Sequence, residues 1–306
     1  MRLDREGDVF GAVETRWRMS NALSLQGQVA DAVAVLETLV ETPVGDQDAT
    51  TGGTGESADT PAADSDPAPR KHPTRADMLM VQIRADLARG LLALEEPRAA
   101  AVEFLHVADA VDGWPDPSRL TAAAAEAAGA LASARNWDGA RAALGRAIAA
   151  NAVAPRIPDL TEALRDIAGE VMNARGAEGL DEALGYLAQA DQLREEFPDA
   201  SRVQFVSIEV DEAQVCYTRG WALNTAGRPQ EAIAELERAV RLYDRPGFSE
   251  IPPRYEAIRF AAIIELRSLD RPDAAKARLD KAIAEAEAAG HAEGLATLQK
   301  LRDALR

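Results

Sequence analysis

The sequence has few of the residues from which catalytic and metal sites are built. Cys216 is the only cysteine, so no intramolecular disulfide can form and a zinc site made of several cysteines is excluded. The three histidines, His72, His106 and His291, show no metal-ligand spacing with one another. The GGTG stretch at 52–55 is not followed by a lysine, so it does not match a phosphate-binding loop. We therefore expect a protein that is not an enzyme and that holds no cofactor and no metal.

Positive charge and long apolar runs are also scarce. The chain has 34 Lys and Arg against 51 Asp and Glu, a net charge of −17. Proteins that bind nucleic acids or anionic membrane surfaces rely on Lys and Arg, so this balance argues against both partners. No apolar run approaches the roughly 18 residues that a membrane span needs, and the charged segment 1–17 lacks the apolar core of a secretory signal. We expect a cytoplasmic protein.

Residues 42–69 differ in composition from the rest of the chain. They contain no aromatic residue, no Lys and no Arg, but six acidic residues. Such a segment cannot bury enough apolar surface to offset the entropy lost on ordering. We expect 42–73 to form a disordered acidic insertion between two helices. The alternative is an acidic segment that folds back over a groove and competes with a ligand.

Helix-forming residues, by contrast, are abundant. Ala, Leu, Glu and Arg dominate, and aromatic residues make up only 5% of the chain. One pattern recurs six times: an alanine, a large apolar residue four positions later, and a third apolar residue three positions after that. The six copies are Ala32/Leu36/Leu39, Ala100/Phe104/Val107, Ala140/Leu144/Ala147, Ala183/Leu187/Ala190, Ala232/Leu236/Ala239 and Ala275/Leu279/Ala282.

The repeated small residue has a packing reason. Two antiparallel helices joined by a short turn can approach closely only if a side chain at their crossing is small. Gly27 and Gly227 suit the left-handed residue that ends a helix. Pro97, Pro229 and Pro272 stand where the second helix of a pair would begin and an amide proton is not needed. We predict an all-α fold, a right-handed α-solenoid of about six antiparallel helix pairs.

This pattern resembles the tetratricopeptide repeat (TPR) family, whose unit is a helix–turn–helix with the same alanine-led second helix. The fifth unit matches the family pattern best, at Gly220, Leu223, Gly227, Ala232, Leu236, Ala239 and Pro246. The repeating alanines are 68, 40, 43, 49 and 43 residues apart, whereas the family period is about 34, so the repeats are divergent and long. The resemblance implies one TPR-like domain over 1–306, closed by a capping helix at 291–306.

The resemblance also implies a binding surface, because the first helices of such repeats line the concave face. Aromatic side chains there offer a large contact area at low entropic cost, and a nearby Asn can bind a peptide backbone. The alternative is that the aromatics only pack against the neighbouring pair. The predicted partner-binding residues are Trp17, Asn21, Arg89, Gln214, Tyr217, Trp221, Asn224, Phe260 and Arg267.

The leading hypothesis is therefore a non-catalytic protein–protein interaction scaffold that binds a peptide or helix of a partner in a concave groove. Two alternatives stay open at this point. One is a ligand- or peptide-responsive regulatory module, and the other is self-assembly through the end helices. The sequence does not indicate the oligomeric state.

Overall fold

The computed structural model describes residues 9–44, 72–197, 208–244 and 252–304. Within these ranges the chain forms thirteen α-helices and one short 3-10 helix, and no β-strand. The predicted acidic insertion at 42–73 lies outside the described residues except at its two ends. The α-helices are α1 Val9–Leu25, α2 Val29–Val40, α3 Arg75–Ala93, α4 Pro97–Val111, α5 Ser118–Ser133, α6 Trp137–Asn151, α7 Ile157–Arg175, α8 Leu180–Glu196, α9 Ile208–Thr225, α10 Pro229–Tyr243, α11 Pro252–Arg267, α12 Pro272–Ala289 and α13 Ala292–Asp303.

The chain divides into two compact units, Met1–Ala154 and Pro155–Arg306. In the first unit, α1 to α6 form three helix pairs, and each described helix packs against the next one along the chain. In the second unit, α7 to α12 form three more pairs, with the 3-10 helix Gly176–Gly179 between α7 and α8. The last helix, α13, packs against α11 and α12. The predicted fold class, an all-α arrangement of six helix pairs, is confirmed, whereas the single TPR-like domain stays a prediction.

In all six pairs, the buried positions of the second helix are those that the sequence pattern predicts. The six alanines that lead the second helices are at most 2% exposed, because each lies at a helix crossing. The large residue four positions later is buried in every pair, from Leu36 in the first to Leu279 in the last. The prolines at 97, 229 and 272 are the first residues of α4, α10 and α12.

A left-handed residue recurs in the turns, five positions before the leading alanine. Gly27 and Gly227 have φ angles of 77° there, as the pattern predicts. Three other pairs place non-glycine residues at the same position: Glu95 at 62°, Arg135 at 59° and Asp270 at 52°. A side chain in this region brings Cβ close to the following carbonyl oxygen, at a cost of about 1 kcal/mol. These three turns are therefore strained, and the helices on either side hold them in place.

Arg135→Gly tests this strain. We expect the variant to raise the free energy of unfolding by about 0.5 kcal/mol, because relief of the Cβ contact exceeds the extra entropy that glycine gives to the unfolded chain. Urea unfolding followed by circular dichroism measures the change. Gly227→Ala, at the matching turn position, is the control and should lower stability. A loss of stability in Arg135→Gly would contradict the account of the turns.

Candidate functional site

A cleft in the second unit is the candidate binding site. It encloses about 340 Å³ and opens among α7, α9, α10 and α11. Its exposed wall is almost entirely apolar, formed by aromatic rings, proline rings and the aliphatic parts of polar side chains. We call it the Tyr217 cleft, and its lining residues are Arg165, Gln214, Tyr217, Thr218, Tyr243, Pro252, Pro253 and Glu256.

The position of α9 depends on a close approach to α10. A Cβ atom at Gly220 would lie 2.9 Å from Cγ of Leu236 and 3.0 Å from the carbonyl oxygen of Ala232. These distances are below normal contact, so only glycine lets the two helices meet at this point. The adjoining face of α9 is buried at Val215 and Cys216. Gln214, Tyr217 and Thr218 are left on the side of α9 that lines the cleft.

Two phenol groups line the cleft, and both are uncharged at neutral pH. Burial raises the pKa of Tyr243 to about 12. Burial also raises the pKa of Tyr217, and the negative charge of Glu256 adds to the effect. The Tyr217 ring is half-buried and packs against the Phe260 ring, with 5.9 Å between centroids and 46° between planes. A tilted aromatic pair of this kind holds the Tyr217 ring in place at the wall of the cleft.

Two charged side chains, Arg165 and Glu256, are among the residues that line the cleft. Arg165 donates a hydrogen bond to the Oε1 atom of Gln214. The Nη2 atom of Arg165 also lies 3.5 Å from Oε1 of Glu162 and 3.7 Å from Oδ1 of Asp166. On α11, Glu256 accepts two hydrogen bonds from Arg259, at 2.8 and 2.7 Å. Because Arg165 engages the Gln214 oxygen, the amide nitrogen of Gln214 is directed away from that contact.

The predicted site residues of the second unit are only partly brought together. Gln214 and Tyr217 line the cleft, and Phe260 supports Tyr217 from behind. Trp221 is half-buried one turn further along α9 and is not a lining residue. Asn224 accepts a hydrogen bond of 3.2 Å from the Ser268 hydroxyl, and Arg267 is exposed at the end of α11.

The predicted site residues of the first unit are engaged within that unit. The Nε1 atom of Trp17 donates to Oδ2 of Asp86 at 2.8 Å. Arg89 donates twice to Oε1 of Glu126, at 2.9 and 2.7 Å, and once to Oδ1 of Asp86 at 3.1 Å. Asn21 is half-buried on α1. These bonds link α1, α3 and α5 to one another, so the polar groups of Trp17 and Arg89 are satisfied without a partner.

Five of the eight described cleft residues lie outside α9, and no sequence pattern selects them: Arg165, Tyr243, Pro252, Pro253 and Glu256. The sequence gives little indication that these five residues lie together. Pro252 begins α11, as a proline suits the first position of a helix, but nothing in that local pattern points to a cleft. Arg165 lies on α7, which packs against α9 although α8 separates them in the chain.

The described part of the chain shows no arrangement typical of metal or thiol chemistry. No group of three or more His, Cys, Asp and Glu side chains is placed there to hold a metal ion. Cys216 is fully buried, and burial raises the pKa of its thiol to about 12, so the reactive thiolate does not form at neutral pH. In the same described ranges, no helix combines the length and hydropathy that crossing a membrane requires.

The fold and the cleft together define an all-α protein of the helical-repeat class. No protein-family model matches the chain, and no curated protein matches it either. Among solved structures it is similar to BtubC (BKLC) from P. vanneervenii, with a TM-score of 0.50 and 15% identity over 67% of this chain and 79% of that chain. This likeness concerns the fold alone.

Two further solved structures overlap more loosely. One is a Rap protein complexed with competence and sporulation factor, at a TM-score of 0.48 and 11% identity over 96% of this chain and 87% of that one. The other is Ton1535 from Thermococcus onnurineus NA1, at a TM-score of 0.35 and 14% identity over 94% and 75%. Neither overlap is close enough to indicate a shared function.

Proposed function

We propose that this protein is a non-catalytic interaction module of the TPR type, and that its Tyr217 cleft receives an apolar side chain from a peptide segment of a partner protein. The observation that carries the proposal is the cleft itself, an apolar space of about 340 Å³ walled by two tyrosines and two prolines. The six alanine-led helix pairs support the TPR-type assignment. The net charge of −17 favours a protein partner over a nucleic acid or a membrane, and the composition favours a cytoplasmic location.

The volume of the cleft suits one large side chain. Sites for small molecules span roughly 300 to 1,000 Å³, so this cleft stands at the lower end of that range. Leu, Phe or Trp fits within such a space, and aromatic walls contribute contact area without losing much side-chain entropy. The Tyr217 ring, packed against Phe260, is the half-buried aromatic ring of α9 that lines the cleft.

The scarcity of polar atoms on the wall of the cleft favours a peptide over a small molecule as the ligand. Small-molecule sites fix their ligand with a few precisely placed polar groups inside the pocket, whereas polar atoms form little of the exposed wall of this cleft. A peptide can be oriented from outside the cleft, because its backbone and flanking side chains extend beyond the anchor. Gln214 lines the cleft, and its amide nitrogen can donate to a peptide backbone.

A selection from a random peptide library tests the proposal. Phage-displayed peptides are selected on the full chain, and the recovered peptides are then measured against Tyr217→Ala by fluorescence anisotropy. We expect affinity to fall by about 30-fold or more, the loss typical of a central aromatic contact. Tyr217→Phe keeps the ring and should bind within a few-fold of the original chain.

Tyr186→Ala is the matched control, since Tyr186 is a half-buried tyrosine of α8 that does not line the cleft. Thermal unfolding of each variant shows whether a loss of affinity reflects a loss of fold. Recovered peptides that bind Tyr217→Ala as tightly as the original chain would contradict the proposal. Failure to recover any binding peptide would contradict it as well.

A further inference from the structure

An acidic stripe runs along α7 beside the Tyr217 cleft. It consists of Glu162, Asp166 and Glu170, which are spaced four residues apart and therefore follow one face of the helix. The side chains of Glu162 and Asp166 are 67% and 49% exposed. Like charges at this spacing repel one another, so the stripe destabilises α7 unless a cation compensates it.

Ionisation of Asp166 is disfavoured, chiefly by burial and to a smaller degree by this crowding. Partial loss of hydration is the main cause that raises the pKa of Asp166 to about 6. Repulsion from Glu162 and Glu170 acts in the same direction, while the Arg165 guanidinium opposes it. Arg165 therefore offsets only part of the combined effect of burial and of the neighbouring carboxylates on Asp166.

The stripe adjoins the cleft through Arg165. This residue lines the cleft, and its guanidinium lies within 3.7 Å of both Glu162 and Asp166. On α11, the charge of Glu256 is matched by Arg259. Among these described side chains, four carboxylates meet two guanidinium groups, and their summed charge is negative.

We infer that the segment bound by the Tyr217 cleft carries Lys or Arg within about one helical turn of its apolar anchor, and that these cations lie against the α7 stripe. This inference rests on the proposed function, since it describes the ligand of the same cleft. An apolar segment fills the space, and its basic flank relieves the repulsion among Glu162, Asp166 and Glu170. An acidic segment would meet the same stripe with repulsion, so the charge also selects among partners.

The peptides recovered on the full chain provide the test. Those that lose affinity with Tyr217→Ala are taken as cleft-dependent, and their sequences are compared with the unselected library. We expect an excess of Lys and Arg within about four residues of the anchor. The tightest of them should bind Glu162→Gln/Asp166→Asn/Glu170→Gln about tenfold more weakly at low salt, because three exposed ion pairs are each worth about twofold. High salt should remove most of that difference.

The matched control neutralises one Asp and two Glu in α2 and at its C-terminal end, in the first unit, as Asp31→Asn/Glu37→Gln/Glu41→Gln. It changes net charge equally and should leave affinity unchanged, which separates local pairing from a general charge effect. Cleft-dependent peptides without excess Lys or Arg, or with equal affinity for both triple variants, would contradict the inference of a basic flank. They would not contradict the proposed binding of a peptide in the cleft. Absence of any cleft-dependent peptide would overturn the proposed function and this inference with it.

Discussion

Asp211→Ala lowers the free energy of unfolding by about 3 kcal/mol in our account, because it breaks a buried ion pair. The Oδ2 atom of Asp211 accepts a hydrogen bond of 3.1 Å from Arg194, and Oδ1 accepts one of 2.7 Å from the Thr161 hydroxyl. The side chains of Arg194 and Asp211 are only 7% and 6% exposed. These bonds join α7, α8 and α9, so their loss weakens the packing of α7 and α9, which form two walls of the cleft.

The size of the effect follows from what the truncation leaves behind. Removing one partner of a buried pair costs roughly 3 to 5 kcal/mol, since the other charge remains out of water. Arg194 also pairs with Asp191, and Thr161 keeps its bond to the Ile157 carbonyl oxygen, so the lower end of that range applies. Chemical unfolding of the full chain measures the loss. Asp211→Leu combined with Arg194→Met removes both charges and should recover part of it.

Asp138→Ala is the surface control for this prediction. Asp138 pairs with Arg141 at 2.5 Å but is 96% exposed, so we expect a loss below about 1 kcal/mol. If Asp211→Ala cost no more than Asp138→Ala, the buried pair would not contribute as the structure indicates.

Gly220→Val has the second large effect, a loss of about 3 kcal/mol in the free energy of unfolding. The added carbons must enter the space taken by Leu236 and by the backbone of Ala232, at distances of 2.9 and 3.0 Å from the first carbon alone. Backbone atoms cannot move aside as a flexible side chain can, so α9 and α10 have to separate. We expect the same variant to weaken peptide binding, because α9 carries Gln214, Tyr217 and Thr218.

Gly185→Ala is the control, and we expect this change at another glycine of the same unit to raise stability. Gly185 lies in α8 with open space where a Cβ atom would be. Alanine there should stabilise the protein by about 0.5 to 1 kcal/mol through helix propensity alone. Urea unfolding measures the free energy of unfolding of both variants. A Gly220→Val protein as stable as the original would contradict the close crossing of α9 and α10.

The fold could be predicted from the sequence because its signal is local. Ala232 and Leu236 are four positions apart on one helix, and a six-fold recurrence of that spacing defines which face of each second helix is buried. Gly227 was predicted as a left-handed residue because glycine adopts that conformation without strain. Glu95 and Arg135 occupy the same turn position, but their residue types give no such indication.

The cleft could be predicted only in part because its residues come from four helices. Gln214 and Tyr217 follow from the register of α9, whereas Arg165 enters through the packing of α7 on α9, two helices away in the chain. Tyr243 ends α10 as a buried residue, and no local pattern shows that it borders a cavity. Trp17 and Arg89 stay predicted partner contacts, but the carboxylates that engage them, Asp86 and Glu126, were not part of that prediction.

Photo-cross-linking tests the binding claim most directly. The anchor residue of the tightest selected peptide is replaced by p-benzoylphenylalanine, the complex with the full chain is irradiated, and the joined residues are located by mass spectrometry. Our account predicts cross-links to 214–218 of α9 and 252–256 of α11, which disappear when unmodified peptide competes. Cross-links concentrated instead on α1 and α3, around Trp17 and Arg89, or spread over both units, would contradict it.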